Sequence, residues 1–345
     1  MVPFAGFDMP VQYPAGVLKE YHTVRNGGAG LFDISHMGQI RITGRQALDF
    51  LQYVCSNDAS ILTDGQVQYS ALLNEQGTFV DDITIYRLGE DAYYLCVNAA
   101  NRRKDVAHLK ACARNFDIRV RDESEETALL ALQGGSSQEL LQGCVDANLA
   151  DIPYYRFTMA SICGVQALIS RTGYTGEDGF EIYLASEHAG EVWNRLLAEG
   201  ATPIGLACRD MLRIEMGYAL YGHEIDEHVT PVEANLMWIT KTNKPEFIGR
   251  EAVIERQAKG PKKRLVGLRL KDRGIPREHY PVMDHGTVVG EVRSGMFSPL
   301  LGKGIALAYV SPNHATSDSL SILVRNRPLP AERVKPPFVR SNVRK

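Results

Sequence analysis

The chain has 345 residues, of which 23% are charged, and a formal net charge of −3. That length supports two or three domains with real cores, and the near-balanced charge excludes a global basic bias toward nucleic acid. No apolar run is long enough for a membrane-spanning helix, and no signal-peptide pattern opens the chain. Met1-Val2-Pro3-Phe4-Ala5-Gly6-Phe7 enters folded-looking sequence at once, as expected of a chain lacking a short natural leader. Cys55, Cys96, Cys112, Cys144, Cys163 and Cys208 are scattered, with no Cys-x-x-Cys pair. This argues against a zinc site or redox motif and for free thiols in a reducing compartment.

The first stretch is punctuated by Pro3, Gly6, Pro10, Pro14 and Gly16 and reads as loop, followed by a short helix over Val17–Arg25. After Asn26-Gly27-Gly28-Ala29-Gly30, residues 31–42 read as an extended segment ending in a strand. A helix over about 45–54 comes next. His36 and Met37 fall at a loop–strand junction, a common place for ligand contacts; the alternative is a surface histidine and a packed methionine.

Val67–Leu73 and residues 79–88 predict a hairpin around Asn74-Glu75-Gln76-Gly77. Side chains alternate along a strand, so Phe79, Asp81, Ile83 and Ile85 share one face and Val80, Asp82, Thr84 and Tyr86 the other. The two adjacent carboxylates therefore point apart, and one is drawn toward an apolar side, where an ionised group is costly unless paired. Either one aspartate caps a turn while the other is solvated, or the strand carries a functional site.

A strand over 91–98, a helix over 101–113 and a strand over 116–120 complete an antiparallel α+β layer. Residues 127–132 read as a buried strand, and Gly134-Gly135-Ser136-Ser137 opens a helix with a serine cap. Neither Gly-x-Gly-x-x-Gly nor a Gly-x-x-x-x-Gly-Lys-Ser/Thr phosphate loop occurs. Beyond a strand over 165–171, Gly173-Tyr174-Thr175-Gly176-Glu177-Asp178-Gly179 forms a polar loop leading into Phe180-Glu181-Ile182-Tyr183. There Glu181 faces opposite to Phe180 and Ile182, as a solvated edge residue or as an acceptor for a ring rich in N–H donors.

Helices follow over 186–199 and 204–217. In the second, Arg209 and Arg213 share a face, as a solvated stripe or as anion clamps. Tyr221-Gly222-His223-Glu224-Ile225-Asp226-Glu227-His228 fails the known zinc-enzyme spacings, so no metal is expected. Residues 257–264 read as a charged linker and domain boundary. Strands over 265–270, 287–293, 304–310 and 320–324 then predict a small all-β barrel or sandwich over 265–345. No internal repeat stands out.

Several of these segments, taken in order, resemble the aminomethyltransferase (T-protein) family of the glycine cleavage system. They are Phe4-Ala5-Gly6-Phe7, Phe32-Asp33-Ile34-Ser35-His36-Met37, the stretch from Gly77 through Tyr86, Gly173 through Ile182, Ala207-Cys208-Arg209-Asp210, Thr230-Pro231-Val232-Glu233-Ala234 and Phe247-Ile248-Gly249-Arg250. The resemblance implies a three-lobed, cloverleaf-like protein. Residues 1–256 would form a folate-binding region of two α+β lobes, one containing roughly 45–123, and the C-terminal β domain would follow. It implies tetrahydrofolate as co-substrate, lipoylated H-protein as partner, and a cytoplasmic location, or the mitochondrial matrix in a eukaryote.

By motif, Asp82 is the acid nearest the reacting folate nitrogens, as a base or as an electrostatic stabiliser, and Asp81 its structural partner. Glu181 and Arg209 hold the pterin side, and Met37, Asn98, Tyr174 and Trp238 line the cavity. Cys96 stands where the family often has an aliphatic residue, and the C-terminal match stops after Pro337-Phe338-Val339. Arg102-Arg103-Lys104 and Lys262-Lys263-Arg264 are candidate docking clusters for an acidic H-protein, or solvated surface. A folate-dependent demethylase would use the same cavity with another donor. A non-enzymatic folate-binding scaffold is the further alternative, but its Lys-Gly-Cys-Tyr-x-Gly-Gln-Glu signature is missing.

Overall fold

A computed structural model describes residues 1–344; the final residue of the expected C-terminal domain, 345, lies outside the described residues. The chain divides into two compact units. One comprises 1–72, 80–209 and 342–344 of the described residues, and the other 73–79 and 210–341.

The first unit is built on two antiparallel-dominated sheets. In the five-stranded sheet the order is Val67–Leu73, Phe79–Gly89, Ala92–Val97, Gly38–Thr43, Arg119–Asp122. The six-stranded sheet runs Phe157–Ile162, Val165–Ser170, Gly179–Ala185, Thr127–Gln133, Gly30–Asp33, Thr202–Pro203. The extended segment expected over 31–42 is thus two strands in two different sheets. The chain crosses from one sheet to the other through Ile34-Ser35-His36-Met37.

An internal repeat, not evident in the sequence, is plain in the hydrogen bonds. Gly44 (φ 131°) and Gly134 (φ 123°) end equivalent strands, and a Cβ at either would collide with a backbone carbonyl, that of Asp117 or of Gly28. At the same offset, Gln52 Oε1 accepts from the Ala59 N–H and Gln142 Oε1 from the Leu149 N–H. Asp58 and Asn148 cap the equivalent 3₁₀ turns, and the isolated bridges Cys55↔Leu72 and Val145↔Ile162 coincide. Buried Leu51 and Leu141 also coincide, and the residues kept in type are too few to give a clear periodic signal. Within the repeat, Gly30–Asp33 takes beside Thr127–Gln133 the place that Arg119–Asp122 takes beside Gly38–Thr43.

The second unit contains a closed six-stranded barrel: Arg264–Leu270, Lys303–Val310, Thr287–Ser298, Pro281–Asp284, Leu320–Val324, Arg327–Val334. Its interior is aliphatic, with Leu268, Leu270, Val282, Val292, Ile322 and Ala331 buried together.

The α+β class and the C-terminal barrel are as expected, with local differences. The strand expected over 116–120 begins at Arg119. Ser136 does not cap its helix; its hydroxyl instead donates to the Gly27 carbonyl at 2.6 Å. The first three residues of the expected linker belong to the helix Arg250–Lys259, which is delimited by glycines of positive φ at 249 and 260. Pro281–Asp284 and Arg327–Val334 were hidden by their prolines and charges.

Candidate active site

The strand Phe79–Gly89 separates its two acids as the alternation demands: Asp81 is fully buried and Asp82 half-buried. Asp81 is held by three N–H groups. Its Oδ2 accepts the Asn98 backbone N–H at 2.8 Å, and its Oδ1 accepts the side-chain amides of Asn98 (2.9 Å) and Asn101 (2.6 Å). The Asn98 amide also reaches Asp82 Oδ1 at 2.7 Å, and the Tyr69 hydroxyl donates to Asp82 Oδ2 at 2.7 Å. Burial first, and the Asp81 charge second, push the Asp82 carboxyl up to about 7, against the pull of Tyr69 and Asn98. Asp82 therefore exchanges its proton in the neutral range, as a general acid–base group must.

Sequence reasoning missed three members of this cluster. Tyr69 was read only as a hairpin residue, and Asn101 only as a helix start. Asp105 was hidden behind the basic run Arg102-Arg103-Lys104, although the helix Arg102–Cys112 buries Asp105 and Leu109 on one face. That i, i+4 pairing was the available signal.

A second acid stands on the neighbouring sheet. Glu181 Oε2 meets the Thr172 hydroxyl at 2.5 Å and the Tyr86 hydroxyl at 3.5 Å, and the Tyr86 and Tyr183 hydroxyls lie 2.8 Å apart. Burial raises the Glu181 carboxyl, while Thr172, the Arg209 charge and Tyr86 oppose the rise. Cys96, opposite Thr84 in the five-stranded sheet, has its thiol pushed up to about 12 by burial and then by Glu181; it also feels Asp81 and Arg209. The Arg209 guanidinium lies 4.8 Å from the centre of the Tyr174 ring, a cation–π contact that orients it. A recess beside it is lined by Tyr13, Phe32, Asp33, Ile34 and Leu206.

Met37 is half-buried where the chain crosses between sheets, its N–H bonded to the Ile34 carbonyl at 3.0 Å. His36 is no surface residue. It is 3% exposed, packed edge-on against Phe4 and Phe7, and lowered to about 3 by burial and then by Arg209. Trp238 belongs to the second unit, where it is 60% exposed.

Arg213 is neither a solvated stripe nor an anion clamp. It is buried, paired at 2.8 Å with Glu224 and with Asp210, and bonded to Ser294 at 2.7 Å. Glu224 meets Arg213 through Oε2, and among the described residues no group of three or more His, Cys, Asp or Glu is arranged to hold a metal ion. Of the basic clusters, Arg102 is committed to Asp122 and Glu125, and the Lys263 ammonium sits 4.5 Å from the centre of the Tyr309 ring.

The comparisons with known proteins agree along the whole chain. The family described as GCVT N-terminal domain matches residues 1–244, and the glycine cleavage T-protein C-terminal barrel domain matches residues 263–340. The chain belongs to the glycine cleavage T-protein family. The aminomethyltransferase of Thermus thermophilus is 48% identical over 98% of this chain and 95% of its own. That of Desulfitobacterium hafniense is 45% identical over 96% and 92%. The crystal structure of the glycine cleavage system aminomethyltransferase T from Bartonella henselae superposes with a TM-score of 0.93 at 35% identity, covering 100% of this chain and 95% of that one. As a T-protein, the chain is an enzyme, an aminomethyltransferase of glycine cleavage.

Proposed function

We propose that tetrahydrofolate binds in the first unit between the Asp82 and Glu181 carboxyls. It there receives the one-carbon unit of the aminomethyl group carried by lipoylated H-protein. The products are 5,10-methylenetetrahydrofolate, ammonia and dihydrolipoyl H-protein. The observation that carries this reading is the Asp82 carboxyl, half-buried, gripped by Tyr69 and Asn98, and titrating near neutrality.

The donor set suits a folate. Both protein donors to Glu181, Thr172 and Tyr86, meet Oε2, so Oε1 is left to accept from a ring rich in N–H groups. Arg209 favours the ionised form of that carboxylate and is itself fixed over Tyr174. Met37 and Asn98 would line the same cavity; Trp238, a cavity residue on the family resemblance alone, lies in the second unit. Tetrahydrofolate supplies the accepting nitrogens.

The chain's own part is proton handling and charge. Transfer releases a proton from the accepting amine and develops positive charge at the migrating carbon. An ionised Asp82 meets both needs, taking the proton at Oδ1 or Oδ2 or balancing the cation in a poorly hydrated site. Asp81 does not touch the substrate on this reading; its charge raises the basicity of Asp82. The domain reading is that residues 1–256 carry the folate region and 265–345 the barrel domain, which the family matches at 1–244 and 263–340 support.

The test is formation of methylenetetrahydrofolate from tetrahydrofolate and aminomethylated H-protein, with free methylamine-type donors as the control. Product only with the protein-borne donor upholds the reading. Product with the free donors alone would make the chain a demethylase.

A further inference from the structure

Asp105 lies in the helix Arg102–Cys112, fully buried, and no N–H or O–H of the protein reaches either of its carboxyl oxygens. The group it meets is the Asp81 carboxyl. Two ionised carboxylates do not remain in contact in a buried site, so the pair holds together through one shared proton. The location of that proton follows from the other bonds. Asp81 already accepts three N–H groups, from the Asn98 backbone, the Asn98 amide and the Asn101 amide. Those donors favour a negative Asp81. Asp105 has no such donors and satisfies itself only by being the O–H that points at Asp81.

We infer that Asp105 is a positioning residue of the transfer reaction: a carboxylic acid, protonated at working pH, that donates to Asp81, keeps Asp81 ionised, and through it holds Asp82 basic enough to work at neutral pH. The inference rests on the reading of Asp82 as the proton-handling group. The ionisation tendencies agree. Burial raises Asp81 as well, but the hydrogen bond from Asp105 and then those from Asn101 and Asn98 oppose that rise; burial, then the Asp81 charge, push Asp105 up to about 10, and Asp81 is the principal charge raising Asp82.

The other groups around the cluster do not replace this proton. Lys104 pulls Asp105 downward but does not prevent the rise. Cys96, which feels Asp81 from the neighbouring strand, is a neutral thiol at working pH. His108, one turn along the helix, is lowered by burial and by Lys104 and is neutral there. Tyr69, the remaining partner of Asp82, is raised well above its ordinary value, faces Tyr155 and Tyr174 as well, and stays protonated.

Two variants separate the roles. Asp105→Asn keeps a neutral donor toward Asp81. Asp105→Leu removes the donor, so Asp81 takes up a proton and Asp82 ionises at lower pH. The single-turnover rate with aminomethylated H-protein, followed against pH, should keep its limb in Asp105→Asn. In Asp105→Leu the limb should move to lower pH by about one unit or more, the scale on which interacting carboxyls perturb one another. Independently of activity, the infrared difference spectrum of wild type minus Asp105→Asn at about pH 8.5, above the Asp82 midpoint, should show the carbonyl band of a protonated carboxylic acid. That measurement stands even where Asp105→Leu does not fold.

An absent band, or a limb in Asp105→Asn displaced to lower pH, would show Asp105 ionised in the wild type and overturn the inference. An unmoved limb in folded Asp105→Leu would do the same. Asp82→Asn run alongside distinguishes the two levels: if it keeps the wild-type rate and limb, the reading of Asp82 fails, whereas the infrared band reports on Asp105 alone.

Discussion

The Tyr69 hydroxyl donates to Asp82 Oδ2 at 2.7 Å, tying the first strand of the hairpin to the acid on the second. This bond lowers the Asp82 pKa, while burial and Asp81 raise it. Asp82 is useful when ionised, whether as base or as counter-charge, so the transfer rate should climb with pH through about 7. Tyr69→Phe removes a donor to the ionised form, so the limb should move to higher pH, with the loss of rate concentrated below neutrality. A pH series of single-turnover rates checks this. A limb displaced to lower pH would mean that Tyr69 does not stabilise the carboxylate.

Glu181 and Arg209 are expected to act on binding more than on chemistry. Loss of a charged hydrogen-bond partner in a desolvated pocket costs about 1.5–3 kcal/mol. Glu181→Ala and Arg209→Ala should each weaken tetrahydrofolate binding on that scale in calorimetry without added metal. Tyr174→Leu should weaken it less, because it only frees the guanidinium that the ring orients. Unchanged affinity in both charge-removing variants would exclude these residues from the pterin site.

What could be read in the sequence was local. Period-two alternation separates Asp81 from Asp82, and the structure has the first fully buried and the second half-buried. The four β segments beyond residue 264 sufficed for the barrel, although the proline-bearing Pro281–Asp284 and Arg327–Val334 escaped notice. What could not be read was contact across sequence distance. Asp105 lies 20-odd residues from Asp81, beyond a whole strand; its i, i+4 spacing from Leu109 hints at burial, but nothing local names the carboxyl it meets. Arg209 and Arg213 look alike on a helical wheel, yet one lies over Tyr174 and the other is sealed against Glu224. The repeat persists in backbone geometry at Gly44 and Gly134 after the surrounding side chains have diverged.

The buried titratable groups also set how stability varies with pH. Asp105 has a folded pKa of about 10 against an ordinary 3.8, so its contribution is fully present below the ordinary value and is lost as pH rises toward 10. His36 is lowered from 6.5 to about 3, so its contribution is present above 6.5 and is lost as pH falls. Thermal unfolding across pH should therefore show a decline toward alkaline pH that Asp105→Asn flattens; between about 3.8 and 6.5 the two contributions run in opposite senses, so Asp105→Asn should steepen the acid decline. An alkaline decline of equal slope in Asp105→Asn would contradict a raised Asp105 pKa.

The central claim is that Asp82 carries the chemistry and Asp81 supports it. The direct measurement is single-turnover transfer from aminomethylated H-protein to tetrahydrofolate in Asp82→Asn and in wild type, with tetrahydrofolate affinity measured on the same preparations. Asparagine keeps the shape of the side chain but neither takes a proton nor balances a cation. The rate should fall by roughly a hundredfold or more, the usual scale for a positioned acid–base group. Affinity should fall much less, because the lost interaction is stronger in the transition state than in the ground state. An Asp82→Asn enzyme that turns over near the wild-type rate would contradict the account and move the chemistry to another group in the first unit.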